Sequence, residues 1–167
     1  MTRQTSSQAP NPVPVRALTA PVLRDWLSLA CRTGEITRGL VDSLNVFPVP
    51  DSDTGTNVLL TVRAACDAMR LLPSSADLVQ ASRAAADGAV RGARGNSGLL
   101  VSQALAALAD VCAEAPDPAA LRPVEIVRVY ERIADTTWAA VSRPVTGTLL
   151  TVAQDAAAAA RTALEES

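Results

Sequence analysis

The chain has 167 residues, 15 arginines and no lysine or histidine, set against 17 acidic residues for a net charge of −2. Those two absences exclude a Ser-His-Asp triad, an imidazole base or zinc ligand, a P-loop lysine and a Schiff base. The length fits one domain with a sizeable core, and a composition 49% apolar but 2% aromatic, rich in alanine, favours helix over sheet.

Residues 1–15 are polar and proline-rich, with no signal-type apolar stretch, and read as a disordered tail before a domain at 16–167. A first helix is expected over 19–32, with Pro21 early and Leu23, Trp26, Leu27 and Ala30 on one face. Gly34 reads as its stop, and a second helix over 35–44 carries Ile36, Leu40 and Val41. The stretch Asn45-Val-Phe-Pro-Val-Pro-Asp-Ser-Asp53 is a loop, since its two prolines break any helix. Further helices are expected over 54–72, 76–90, 96–115, 123–142 and 148–165. No stretch alternates convincingly as a strand. The fold class is therefore all-α, an antiparallel bundle or barrel of about seven helices.

In such a bundle alternate loops share one end. Three glycine-containing loops then fall together: Gly55-Thr56-Asn57, Gly95-Asn96-Ser97-Gly98 and Gly147-Thr148. Each feeds a helix N-terminus, where free N–H groups and the positive dipole end attract anions. Any one of these loops alone reads as ordinary capping chemistry. Beside the first stand Asp51 and Asp53. Two residues apart, they share no helix face, but in a loop both can point at one hard cation such as magnesium, with Asn45, Thr54 and Asn57 as further oxygen donors.

The scattered arginines and a pI near 5.1 argue against nucleic acid. Cys31, Cys66 and Cys112 follow no metal or redox spacing and read as small core residues. Their odd number fits a reducing compartment, and no apolar run reaches a membrane span. The expected location is cytoplasmic.

The stretch Leu44-Asn-Val-Phe-Pro-Val-Pro-Asp-Ser-Asp-Thr-Gly-Thr-Asn57 closely resembles the metal and nucleotide loop of DhaL (Dak2) domains, the ATP-binding domains of dihydroxyacetone kinases. The match is closer still to the N-terminal domain of the bacterial fatty acid kinase ATP-binding subunit. Gly92-Ala-Arg-Gly-Asn-Ser-Gly98 with Ser102-Gln103 resembles the second family motif, and Pro144-Val-Thr-Gly-Thr-Leu-Leu-Thr-Val152 the third. The resemblance implies a helical barrel of eight helices with ATP or ADP and two magnesium ions at one end. It places Asp51 and Asp53 as catalytic metal ligands and a further ligand near Asn45. Phosphate contacts map onto Thr54, Gly55, Thr56 and Asn57, onto Gly95, Asn96, Ser97 and Gly98, and onto the Thr148 hydroxyl. Leu99, Leu100 and Leu149 are candidates for the adenine face.

The chain departs from the pattern at Ser52, where a glycine is usual, and at Thr146, where close relatives carry glutamate. The family continues with at least one more helix, so a domain lacking a C-terminal helix is expected. The implied activity is phosphoryl transfer to an acceptor presented by a partner, either a lipid carrier or a dihydroxyacetone-binding subunit. The alternative is an inactive ADP/ATP-binding regulatory or docking module. Self-association as a homodimer is compatible with either.

Overall fold

The computed structural model describes residues 16–46 and 50–166; the expected tail and part of the acidic loop lie outside them. Six helices carry the described fold: α1 (Ala20–Leu44), α2 (Thr54–Arg70), α3 (Leu78–Gly92), α4 (Gly95–Glu114), α5 (Pro123–Ala139) and α6 (Leu149–Glu165). The all-α class is confirmed, with two corrections. The helices expected at 19–32 and 35–44 are one continuous α1, so six helices replace seven. Gly34 is not a stop: a Cβ there would lie 3.1 Å from Leu59 Cδ1, so the glycine gives α2 room to approach. The second correction is a short antiparallel ladder, β1 (Leu18–Thr19) with β2 (Ala120–Leu121), too brief to show alternation in sequence. It ties the start of α1 to the start of α5.

Successive helices pack on one another and run antiparallel. The cross-links show this, because partner numbers fall on one helix as they rise on the next. Arg24 donates to the Met69 and Pro73 carbonyls, while Glu35, further along α1, pairs with Arg63. Glu114 at the end of α4 meets Arg128 and Arg132 of α5 at 3.1 and 2.9 Å, and Arg161 of α6 reaches back to Glu131.

The core is aliphatic and small: Leu23 and Leu27 of α1, Ala65 of α2, Ala81, Ala85 and Ala89 of α3, and Val111 and Cys112 of α4. Alanine at these positions lets helices close together without losing helix propensity. Helix α3 opens with a reciprocal cap, in which Asp77 accepts from the Gln80 N–H at 2.8 Å and Gln80 accepts from the Asp77 N–H. Helix α4 is long and apolar enough, by length and composition alone, to cross a membrane, its most apolar 18-residue stretch having a mean hydropathy of 1.3. Here it is a central helix packed against α2, α3 and α5, its buried face formed by Leu105, Leu108, Val111 and Cys112. Helix α6 packs chiefly on α5 and buries only Leu150 and Ala157. Helix α1 exposes Trp26, Leu29, Ile36, Leu40 and Leu44.

Candidate functional site

The antiparallel order sets the C-terminal ends of α1, α3 and α5 beside the N-terminal ends of α2, α4 and α6. Merging the first two expected helices leaves this parity intact, so the three glycine-containing loops still share an end.

At the first of them, Asp51 is exposed and Asp53 half-buried at the N-cap of α2. Asp53 makes no side-chain cap bond; only its carbonyl is used, accepting the Asn57 N–H at 2.9 Å. Asn45 Nδ2 donates to Asp51 Oδ1, so the amide orients that carboxylate. Ser52, between them, has φ +55°, in the left-handed region that favours glycine.

A residue that sequence reasoning missed governs the start of α2. Asp42, in the last turn of α1, accepts the Thr56 N–H at 3.0 Å and the Thr56 hydroxyl at 2.7 Å. These bonds hold its carboxyl below the ordinary value of 3.8, the Thr56 hydroxyl contributing most and the Gly55 N–H adding to it. A carboxylate of the chain itself thus occupies N–H groups that a phosphate was expected to take. No local signal marked it, because Asp42 and Thr56 lie 14 positions apart and only the fold joins them.

The glycines here serve packing. A Cβ on buried Gly55 would lie 2.5 Å from the Arg38 carbonyl oxygen. Gly95, at φ +58°, lies over Asn57, whose Nδ2 would be 2.3 Å from a Cβ there. A Cβ on Gly98 would meet Thr61 Oγ1 at 2.5 Å. Asn57 itself is buried between α2 and α4. Motifs one and two are therefore brought into direct contact through Gly95 and Gly98 against Asn57 and Thr61, while Gly55 seats α2 on α1.

Helix α4 shares with α1 and α2 the lack of a side-chain bond at its N-cap. Arg94 at its N-cap gives no side-chain cap and spends a guanidinium N–H on the Ala93 carbonyl at 2.8 Å. Gly95 and Asn96 are exposed and Ser97 half-buried. At α6, by contrast, Thr148 Oγ1 accepts from the Leu150 N–H at 3.3 Å and donates to the Val145 carbonyl at 2.8 Å, and the Gly147 N–H donates to Thr151 Oγ1. That start is closed by its own residues. Thr148 shares the end of the bundle with the other two motifs but is engaged in capping, and Thr146 is exposed.

The DAK2 domain family model matches residues 48–167. The chain belongs to the DAK2 domain family. Similar proteins include uncharacterized proteins of Staphylococcus haemolyticus, 38% identical over 128 residues, covering 77% of this chain and 22% of that protein; of Staphylococcus epidermidis, 38% over 121 residues, covering 72% and 21%; and of Staphylococcus aureus, at the same identity and coverage. The chain spans about a fifth of the length of these relatives.

DAK2 domains are nucleotide-binding domains of kinase systems, and this membership supports a kinase-related role in general. The matched region contains Asp51, Asp53 and all three glycine-containing loops but begins after Asp42 and Asn45. Among the described residues no cluster of three His, Cys, Asp or Glu stands ready to enclose a metal, and no salt bridge engages Asp51 or Asp53. The donor set is two carboxylates with hydroxyls nearby. It fits magnesium, which takes one or two carboxylates and completes its shell with water and phosphate oxygens.

Proposed function

We propose that this DAK2 domain binds ATP or ADP with two magnesium ions and forms the nucleotide-handling part of a kinase whose acceptor is presented by a partner protein. One observation carries the reading. Two carboxylates outside any described ion pair stand at the head of α2, and the uncapped start of α4 is drawn beside them by the Gly95–Asn57 contact.

Asp51 and Asp53 would hold the metal, with Asn45 keeping Asp51 oriented and offering its own oxygen. Gly95, Asn96 and Ser97 would receive phosphate oxygens at the open helix start. The Thr54 and Thr56 hydroxyls lie beside them. The Thr56 hydroxyl donates its hydrogen bond to Asp42, which leaves its lone pairs to face a cation. Gly95, Gly98 and Asn57 hold the two helix starts together, Gly55 seats α2 against α1, and Thr148 shapes the third loop. Leu99 and Leu149, both exposed at this end, supply apolar surface for a base. Magnesium, when bound, neutralises phosphate charge.

With no histidine or lysine, the chain has no ordinary base for a neutral hydroxyl acceptor. An acceptor carboxylate is already ionised at neutral pH. That chemistry favours a fatty acid kinase-like partner, a lipid carrier presenting an acyl group, over a dihydroxyacetone-binding subunit.

Calorimetric titration of ATP into the chain with magnesium, and again with chelator, tests the reading. Magnesium-dependent binding that disappears in Asp51→Ala/Asp53→Ala, with the fold retained by circular dichroism, is expected. Equal or absent binding in both conditions overturns it. A second reading, a regulatory or docking module without turnover, rests on Asp42 already filling the start of α2. Its signature is nucleotide binding without ADP formation when carrier and acyl substrate are added.

A further inference from the structure

Cys31 on α1 and Cys66 on α2 lie 35 positions apart in sequence, yet their sulfurs sit 3.2 Å apart, both buried. No spacing rule finds such a pair, because it is made by the antiparallel register of two helices. Cys112, on α4, is also free and buried. A cavity of about 80 Å³ lined by Arg24, Ser28, Cys66, Met69 and Arg70 reaches one member of the pair. A single water needs roughly 10–15 Å³ of such space, so this pocket admits a molecule the size of hydrogen peroxide.

We propose that Cys31 and Cys66 are a peroxide-responsive dithiol that closes into a disulfide stapling α1 to α2. In the first step the Cys66 sulfur attacks one peroxide oxygen, the O–O bond breaks, and Cys66 becomes a sulfenic acid as water leaves. In the second the Cys31 sulfur attacks the Cys66 sulfur, expelling the sulfenic oxygen as a second water. Two thiols are oxidised by two electrons in all, and one peroxide is reduced to two waters. The sulfurs need to approach by only about 1 Å to reach a disulfide bond length. The closed loop encloses the whole acidic stretch and the start of α2, so the bridge fixes the helix pair that carries Asp42 and Thr56. The proposal is independent of the nucleotide reading.

Burial pushes the Cys66 thiol up to about 12, Cys31 beside it adding to the shift. Since the thiolate is the nucleophile, closure accelerates as pH rises above neutrality. The test treats the full folded chain with hydrogen peroxide, then denatures it, alkylates it with iodoacetamide and maps it by mass spectrometry. One alkylated thiol instead of three is expected, with a cross-linked peptide joining Cys31 to Cys66. Dithiothreitol restores three, and the bridged form melts roughly 5–15 °C higher. Cys112→Ala still closes, and Cys31→Ala leaves a Cys66 sulfenic acid that dimedone traps when the oxidised variant is unfolded in its presence. The proposal falls if the folded chain keeps three alkylatable thiols at a peroxide dose that oxidises the urea-unfolded chain. A bridge through Cys112 or to a second chain overturns it as well.

Discussion

At the scale of single residues, the acidic loop is shaped by two positions. Ser52 holds a left-handed backbone at φ +55°, which costs an L-residue roughly 1–2 kcal/mol. Ser52→Gly removes the Cβ penalty but frees the unfolded chain, so a net gain of about 0.5–1 kcal/mol is expected in urea denaturation; unchanged stability would show the strain is not real. Asp42 is the second position. Asp42→Ala removes the carboxylate that satisfies Thr56 and takes a negative charge from the start of α2. The melting temperature falls, while ATP measured without magnesium binds severalfold tighter because N–H groups are vacated. Weaker magnesium-free binding would show that Asp42 organises the site instead of occupying it. The paired aspartates and the glycines were legible from sequence, since loop prolines and helix-start residues are local signals. Asp42 was not, because its partner sits across a loop and only the α1–α2 turn brings them together.

At the scale of elements, one residue type served two purposes that local pattern does not separate. Gly34 has the look of a helix stop, yet α1 runs through it because Leu59 needs the space. Gly55, by contrast, lies at a helix start, as expected, and its missing Cβ lets α2 approach the Arg38 carbonyl. Backbone cannot move aside as a flexible side chain does. Gly55→Ala is therefore expected to destabilise by about 2 kcal/mol in chemical denaturation, and a neutral result would mean α1 and α2 are free to separate at that end. The ends of other elements are held by carboxylates. Glu114 is depressed below 4.5, first by its bond to Arg132, and Glu125 first by Arg122, as Asp42 is below 3.8 by Thr56. A depressed folded-state value means the stabilisation is complete above the ordinary value and lost as pH falls through the lowered one. Melting temperature should stay level above about pH 5 and drop below it, with a shallower drop in Glu114→Gln; an identical profile in that variant would remove Glu114 from the acid response.

At the scale of the molecule, the helices are unequally held. Helices α2, α3 and α4 each pack on two or more neighbours and bury long runs of side chains, while α6 leans chiefly on α5 and buries Leu150 and Ala157. It also carries the exposed Arg161–Glu131 pair, and exposed pairs contribute little. Sequence periodicity marked α6 as a helix as strongly as any other, because an alanine-rich stretch reports propensity and not the number of neighbours it will meet. Local opening free energy follows buried contact, so α6 opens well below the global unfolding free energy. In hydrogen exchange read by mass spectrometry, α6 amides are expected to exchange at least tenfold faster than those of α2–α4. If the nucleotide bridges the helix starts of α2, α4 and α6, magnesium-ATP then slows exchange at the start of α6 as well as at α4. Slowing confined to α2 and α4 would limit the site to the two motifs that Gly95 and Asn57 join, and would leave Thr148 a cap of its own helix.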